Sequence, residues 1–247
     1  MIEIRNLTKR YGDFTAVDDI SLSVSRGEIY GFLGPNGAGK TTLIDVISGK
    51  TRPHSGRVTF DGHDALRLQP HQLARRGMGR KFQTPAIFTS LTVRENLEAA
   101  GGLLHGGWRL LLPVRAEIND RVDEVLEITQ LTSALRSRAG VLSHGQQQWL
   151  EIGMLLMQAP KLMLLDEPVA GLTRAERDRT SRFLQTVQER CAILIVEHDM
   201  AFVRQFDATV TVLHQGRVLV EGPMRTVQKD ERVIEVYLGR LEEAEVA

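Results

Sequence analysis

The sequence predicts an α/β protein built on a mostly parallel sheet. Three observations carry that prediction. Residues 161–165 and 192–196 are nearly uninterrupted apolar runs, the pattern of strands buried on both faces. A charged stretch with helical spacing, residues 174–190, lies between them, and strand–helix–strand order implies parallel pairing. Earlier in the chain, the apolar run Ile29-Tyr30-Gly31-Phe32-Leu33 feeds a glycine-rich stretch and then a helix-like segment.

Taken in order, Ile2 and Ile4, then Ile20, Leu22 and Val24, alternate at period two and predict half-buried strands. Residues 41–48 predict a helix ended by Gly49, and residues 57–62 a strand with a turn. From about Thr92 to Gln158 the pattern is helical, with Ile118, Val122, Val125, Leu126, Thr129 and Leu131 near helical spacing. Residues 210–213 and 217–220, separated by His214-Gln215-Gly216, predict a hairpin. Residues 101–113 mix glycine with large apolar side chains. They fit either a loop packed on the helical region or a contact for a membrane subunit.

Bulk properties narrow the function. The 247 residues suit one sizeable domain, or one domain with a subdomain. Formal net charge is zero, so a basic footprint for nucleic acid is absent and no nucleic-acid partner is expected. The single cysteine, Cys191, excludes a disulfide framework, suggests a reducing cytoplasm and reads as a small core residue. No apolar run approaches the roughly 18–20 residues of a membrane span, and the first residues lack the apolar core of a signal peptide. If the protein serves transport, other chains are expected to supply the pore.

Gly34-Pro35-Asn36-Gly37-Ala38-Gly39-Lys40-Thr41 matches G-x-x-x-x-G-K-[ST]. Glycines let a loop wrap closely, so that successive backbone N–H groups point at a phosphate. The helix that follows presents its positive end to the same anion. Lys40 would reach the β- and γ-phosphates, and the Thr41 hydroxyl would bind magnesium. A second acidic site ends the apolar run at 161–165, where Asp166 and Glu167 stand side by side. Strand ends of a parallel sheet are where ligands sit. Asp166 would help hold magnesium, and Glu167 would orient or deprotonate the attacking water. Alone, that pair reads equally well as a solvated turn.

Four further pieces complete the pattern: Leu142-Ser143-His144-Gly145-Gln146, His198, Gln83, and Tyr11 in Arg10-Tyr11-Gly12. Singly, each has a bland reading as core, loop or surface filler. Together and in this order they make the whole chain resemble the ATP-binding-cassette family. Residues 34–41 match its Walker A motif, 164–167 its Walker B, 142–146 its signature, Gln83 its Q-loop, His198 its switch histidine and Tyr11 its adenine-stacking aromatic.

The resemblance implies a phosphate-loop NTPase core with a mostly parallel sheet, an N-terminal antiparallel β-subdomain and an inserted α-helical subdomain. Its expected boundaries are about 1–90 and 159–220 for the core with the β-subdomain, 91–158 for the helical subdomain and 221–247 for a C-terminal tail. It implies an ATPase that uses ATP and Mg2+. Gly34, Asn36, Gly37, Ala38, Gly39, Lys40, Thr41 and Thr42 would hold the phosphates and Tyr11 the base. Thr41, Gln83 and Asp166 would hold the metal, and Glu167, His198 and Gln83 would serve the reaction. Ser143, Gly145 and Gln146 would contact nucleotide held by a second subunit in a head-to-tail homo- or heterodimer. The expected partners are that subunit, two integral membrane permease subunits and, indirectly, a substrate-binding protein, with the chain peripheral on the cytoplasmic face of the plasma membrane.

Two positions depart from the common family pattern: His144, where the signature usually has glycine, and Thr173, where many members have aspartate. Residues 79–85, 167–171 and 196–200 resemble the importer branch for branched-chain amino acids, amides and urea. Residues 142–156, 212–216 and 232–239 are similar to urea-importer ATPases, in which His144 is no departure. The substrate expectation is therefore urea, with branched-chain amino acid import or lipopolysaccharide export as alternatives. A soluble ATPase acting on nucleic acid or the ribosome is the alternative of another class.

Overall fold

The structure is a computed structural model; it describes residues 1–81, 86–102 and 113–237, apart from the side chains of 113–116. The chain opens with β1 (Ile2–Tyr11) and β2 (Phe14–Val24), paired antiparallel. The period-two pattern buries Ile2 and Ile4, but Leu7 is buried at the opposite parity. The cause is Asn6, at φ 48°, which shifts the register between Ile4 and Leu7 and rephases the strand as a bulge does. Next come β3 (Ile29–Leu33), α1 (Lys40–Ile47), β4 (Ser55–Phe60), β5 (His63–Asp64) and α2 (Pro70–Arg75). They are followed by β6 (Met78–Lys81), α3 (Val93–Gly102), α4 (Pro113–Thr129) and α5 (His144–Met157). The last third contains β7 (Leu162–Asp166), α6 (Arg174–Gln188), β8 (Ala192–Glu197), α7 (Met200–Val203), β9 (Thr209–His214), β10 (Arg217–Pro223) and α8 (Met224–Val227).

These elements form two compact units. The first comprises Met1–Leu73 and Ala192–Ala247. It holds an antiparallel sheet in the order β2-β1-β4-β5. It also holds β8, β3 and β9 side by side in parallel, with β10 antiparallel on β9. Every residue of β3 and β8 is buried, as their apolar runs predict. Burying each Ile, Leu, Val or Phe side chain there is worth about 1.5–3 kcal/mol. The β9–β10 hairpin closes on Gln215 and Gly216, both at positive φ, the geometry that matches strand twist.

The second unit is Ala74–Cys191. Here β6 and β7 pair in parallel, and α3, α4 and α5 pack together. Among the described residues the long helical stretch of the sequence contains three α-helices. The predicted stripe Ile118, Val122, Val125, Leu126 and Thr129 is the buried face of α4; Gln130 then takes a left-handed φ of 56° and Leu131 turns into the core beyond the helix. A Cβ on Gly153 of α5 would crowd Leu97, Val125 and Thr129, so α5 sits tightly against both neighbours. Strand β6, only four residues and holding a lysine and an arginine, carries no apolar run and is not legible in the sequence. The segment at 101–113 lies for the most part outside the described residues.

Candidate nucleotide site

The glycine-rich loop leaves the end of β3 in the first unit. Gly37 has φ 81° and Gly39 φ 102°, conformations that a side chain strains. At Gly39 an added Cβ would also overlap the Ala16 carbonyl oxygen, whereas at Gly37 it would meet open space. The loop is braced from behind: Gly216 N–H donates to Ala38 O at 3.1 Å, and Asp18 N–H donates to Gly216 O at 2.8 Å. Gly39 is the N-cap of α1, and no side chain caps that helix end. Helix N-termini carry backbone N–H groups without intrahelical acceptors and the positive end of the dipole. The buried Lys40 folds back over the loop, its Nζ donating to Gly34 O at 2.6 Å and Pro35 O at 2.9 Å. Asn36 and Thr41 are exposed and Thr42 is half-buried.

Register places His198 beside this loop. Leu33 pairs with Glu197 across β3 and β8, so Gly34 and His198 leave neighbouring strand ends. Glu197 is 1% exposed, and its Oε2 accepts from His198 N–H at 3.2 Å and lies 3.8 Å from His198 Nδ1. Tyr11 ends β1, paired with Phe14 at the tip of the β1–β2 hairpin. Tyr11 is 50% exposed, with Lys9 Nζ 4.8 Å from its ring centre. From Phe14 the strand runs two residues to Ala16, the residue that abuts Gly39.

In the second unit, Lys81 pairs with Leu165, so β6 and β7 end together. Asp166 is the last residue of β7 and only 2% exposed. Glu167 follows at φ 47°, a left-handed conformation that costs a non-glycine residue about 1–2 kcal/mol. Gln83 lies two residues past Lys81 in sequence and outside the described residues. Lys81 itself is buried, with its Nζ 3.5 Å from Glu151 Oε2 on α5; both side chains are at most 5% exposed. The other oxygen of Glu151 accepts from Ala86 N–H at 3.4 Å.

The signature residues start α5. Ser143 is its N-cap: Oγ accepts from Gln146 N–H at 3.3 Å, while Gln146 Oε1 accepts from Ser143 N–H at 3.0 Å. This reciprocal box leaves the serine hydroxyl proton for another acceptor. Gly145 is buried, and a Cβ there would come within 2.5 Å of Glu176 Oε1. Thr173, the other departure, caps α6 in a second reciprocal box with Glu176. The Thr173 amide and hydroxyl, assisted by the field of Arg179, hold the Glu176 carboxyl below its ordinary range. Cys191 is buried, and burial pushes its thiol up to about 11, so it is no nucleophile at neutral pH.

A family model described as ABC transporter matches residues 17–170, more than half the chain. The chain belongs to the ABC transporter family. A second model, described as branched-chain amino acid ATP-binding cassette transporter, matches residues 217–242. The cassette is 32% identical to a probable branched-chain amino acid transport ATP-binding protein of Methanocaldococcus jannaschii, covering 97% of each chain. It is likewise 32% identical to a high-affinity branched-chain amino acid transport ATP-binding protein of Pseudomonas aeruginosa, over 97% of this chain and 98% of that one. Among solved structures, the ADP conformation of an ATP-binding cassette, MJ1267, superposes with a TM-score of 0.83 at 32% identity, covering 97% and 98% of the two chains. The cassette therefore has the α/β fold with a mixed, mostly parallel sheet, an N-terminal antiparallel sheet and a helical insert. It is an ATPase that uses ATP with Mg2+. Among the described residues no helix is long and apolar enough to cross a membrane.

The Thr41 hydroxyl and the buried Asp166 carboxylate are each hard oxygen donors, the kind of ligand magnesium takes alongside substrate phosphates and water. Sequence reasoning did not reach Lys81, Glu151 or Gln148. The available signal was Glu151 and Gln148, two polar residues on the core-facing side of α5.

Proposed function

We propose that the cassette hydrolyses Mg-ATP in a head-to-tail dimer to drive import, with urea as the transported substrate. The backbone N–H groups of Gly34, Asn36, Gly37, Ala38, Gly39 and Thr42, with Lys40, cradle the phosphates. Tyr11 stacks on adenine. Thr41, Asp166 and Gln83 hold the magnesium, which neutralises phosphate charge. Glu167 orients the water and takes its proton, and His198 hydrogen-bonds the γ-phosphate. Ser143, Gly145 and Gln146 act on the nucleotide of the partner subunit, the serine donating the proton that its capping bond leaves over. The core and β-subdomain comprise about 1–90 and 159–220, the helical subdomain about 91–158 and the tail about 221–247.

One observation carries this reading: the uncapped start of α1, reached through a left-handed glycine and covered by the Lys40 ammonium, is built for an anion. Glu167→Gln is the test. ATP binding should persist while turnover falls by about two to four orders of magnitude, with an ATP-bound dimer accumulating. Turnover at the wild-type rate would sink the assignment.

For the substrate, residues 142–156, 212–216 and 232–239 support urea through their likeness to urea-importer ATPases. A substrate-binding protein outside the membrane would deliver it, and the cassette would sit at the cytoplasmic face. Import of a branched-chain amino acid is the second reading, favoured by the family match over residues 217–242. Deleting this chain should abolish urea uptake and leave leucine uptake intact; the reverse result selects the second reading.

A further inference from the structure

His144 and Gln148, one turn apart on α5, lie beside the carbonyl of Ala170 in the loop after β7. Gln148 Nε2 donates to Ala170 O at 3.0 Å and lies 2.9 Å from His144 Nε2, which is itself 3.3 Å from Ala170 O. A carbonyl only accepts, so the Gln148 amide must present its NH2 to Ala170. The same NH2 then donates to His144, whose Nε2 accepts with its proton on Nδ1. Gln148 is 4% exposed, and its Oε1 has no hydrogen-bond partner. Leaving a buried acceptor unmade costs about 1–3 kcal/mol, so the side chain is held in this pose by its donors and its packing.

Ala170 is not a passive anchor. Its N–H donates to Glu167 O at 3.2 Å, and Leu172 N–H donates to Val169 O at 3.2 Å, so residues 167–172 form two overlapping turns. A Cβ on Gly171 would come within 3.3 Å of His144 Nε2. Across the same helix start, Gly145 faces Glu176. Through Gln148, the residue where most signatures have glycine is thus linked to the turn that carries Glu167.

We infer that His144 and Gln148 are positioning residues that couple the two half-sites of the dimer. The inference rests on the proposed roles, in which Glu167 serves nucleotide bound by its own subunit and the signature serves the partner's. Engagement of the signature at one nucleotide then pulls on Ala170 and sets Glu167 at the other. Neither side chain needs to touch nucleotide.

The test uses the purified full-length chain, titrated with Mg-ATP. His144→Gly and Gln148→Leu should each lower kcat about threefold to thirtyfold, the range of coupling through positioning groups, with KM little changed. The Hill coefficient for ATP should fall toward one in both. The double variant should be no worse than the poorer single, because both act through Ala170. His144→Gln, which can still offer an acceptor to Gln148, should recover most of the loss; this arm stands even if Gln148→Leu fails to fold. Multiplying losses, an unchanged Hill coefficient, or a His144→Gln variant as impaired as His144→Gly would each overturn the coupling. Glu167→Gln is run alongside: if it turns over normally, the proposed roles fail and the coupling falls with them.

Discussion

The two units present helix N-termini that solve the same problem in opposite ways. Helix α1 begins at Gly39 with no side-chain cap, and its loop is shaped by backbone angles that glycine tolerates. Helix α5 begins at Ser143 with a complete reciprocal cap and is tied by Gln148 and Glu151 to its surroundings. An open helix end is an anion site whose donors wait for a ligand. A self-capped end has its first donor occupied, so it can add to a site but cannot form one alone. On the proposed roles, the loop at 34–41 is the resident binding element and the signature is an auxiliary that side chains aim.

The contrast can be broken by substitution. Gly39→Ala should be the most severe, because the new methyl overlaps the Ala16 carbonyl and the residue keeps a left-handed φ. We expect about 4 kcal/mol or more of lost stability and no measurable ATP binding, read by thermal melts and nucleotide titration. A mild effect would mean that the loop is not shaped by its backbone. Lys81→Met comes next. It leaves Glu151 buried without its cation and should cost about 3–5 kcal/mol, measured by denaturant unfolding. Adding Glu151→Met should restore much of that loss, since two well-packed apolar groups replace the ion pair.

Thr173→Val should have the smallest effect, about 1 kcal/mol for a lost N-cap. It also removes one of the two Thr173 hydrogen bonds that depress the Glu176 carboxyl. A depressed carboxyl adds stability above its unfolded value and loses it as pH falls through the folded value. The variant should thus show Glu176 titrating closer to its ordinary range by NMR, and a shallower loss of stability on acidification. An unmoved Glu176 would contradict the capping role.

Much of the first unit was legible because its information is local. A glycine-rich loop between an apolar run and a helix specifies its conformation within eight residues, and β3 and β8 announce burial by unbroken apolar composition. Strand β6 was not legible, since Met78–Lys81 is paired by its neighbour and not by its own pattern. The alternation at Ile2 and Ile4 was legible, but the bulge at Asn6 that brings Leu7 inward was not. Thr173 read as the loss of a familiar aspartate. In the structure it caps α6, as the short polar side chains of aspartate or threonine can equally do.

What the sequence by itself determined is the ABC ATPase family, through the loop at 34–41, the acids at 166–167 and the order of motifs around them. Those depend on backbone freedom, side-chain type and spacing along the chain, all written in one dimension. The tertiary structure alone decided how α5 is held. Lys81 and Glu151 lie far apart in sequence, as do Gln148 and Ala170, and Trp149 stacks under Arg179 while its indole N–H donates to Thr180. Such pairings exist only once the core packs, because burial makes each of these polar groups require the other.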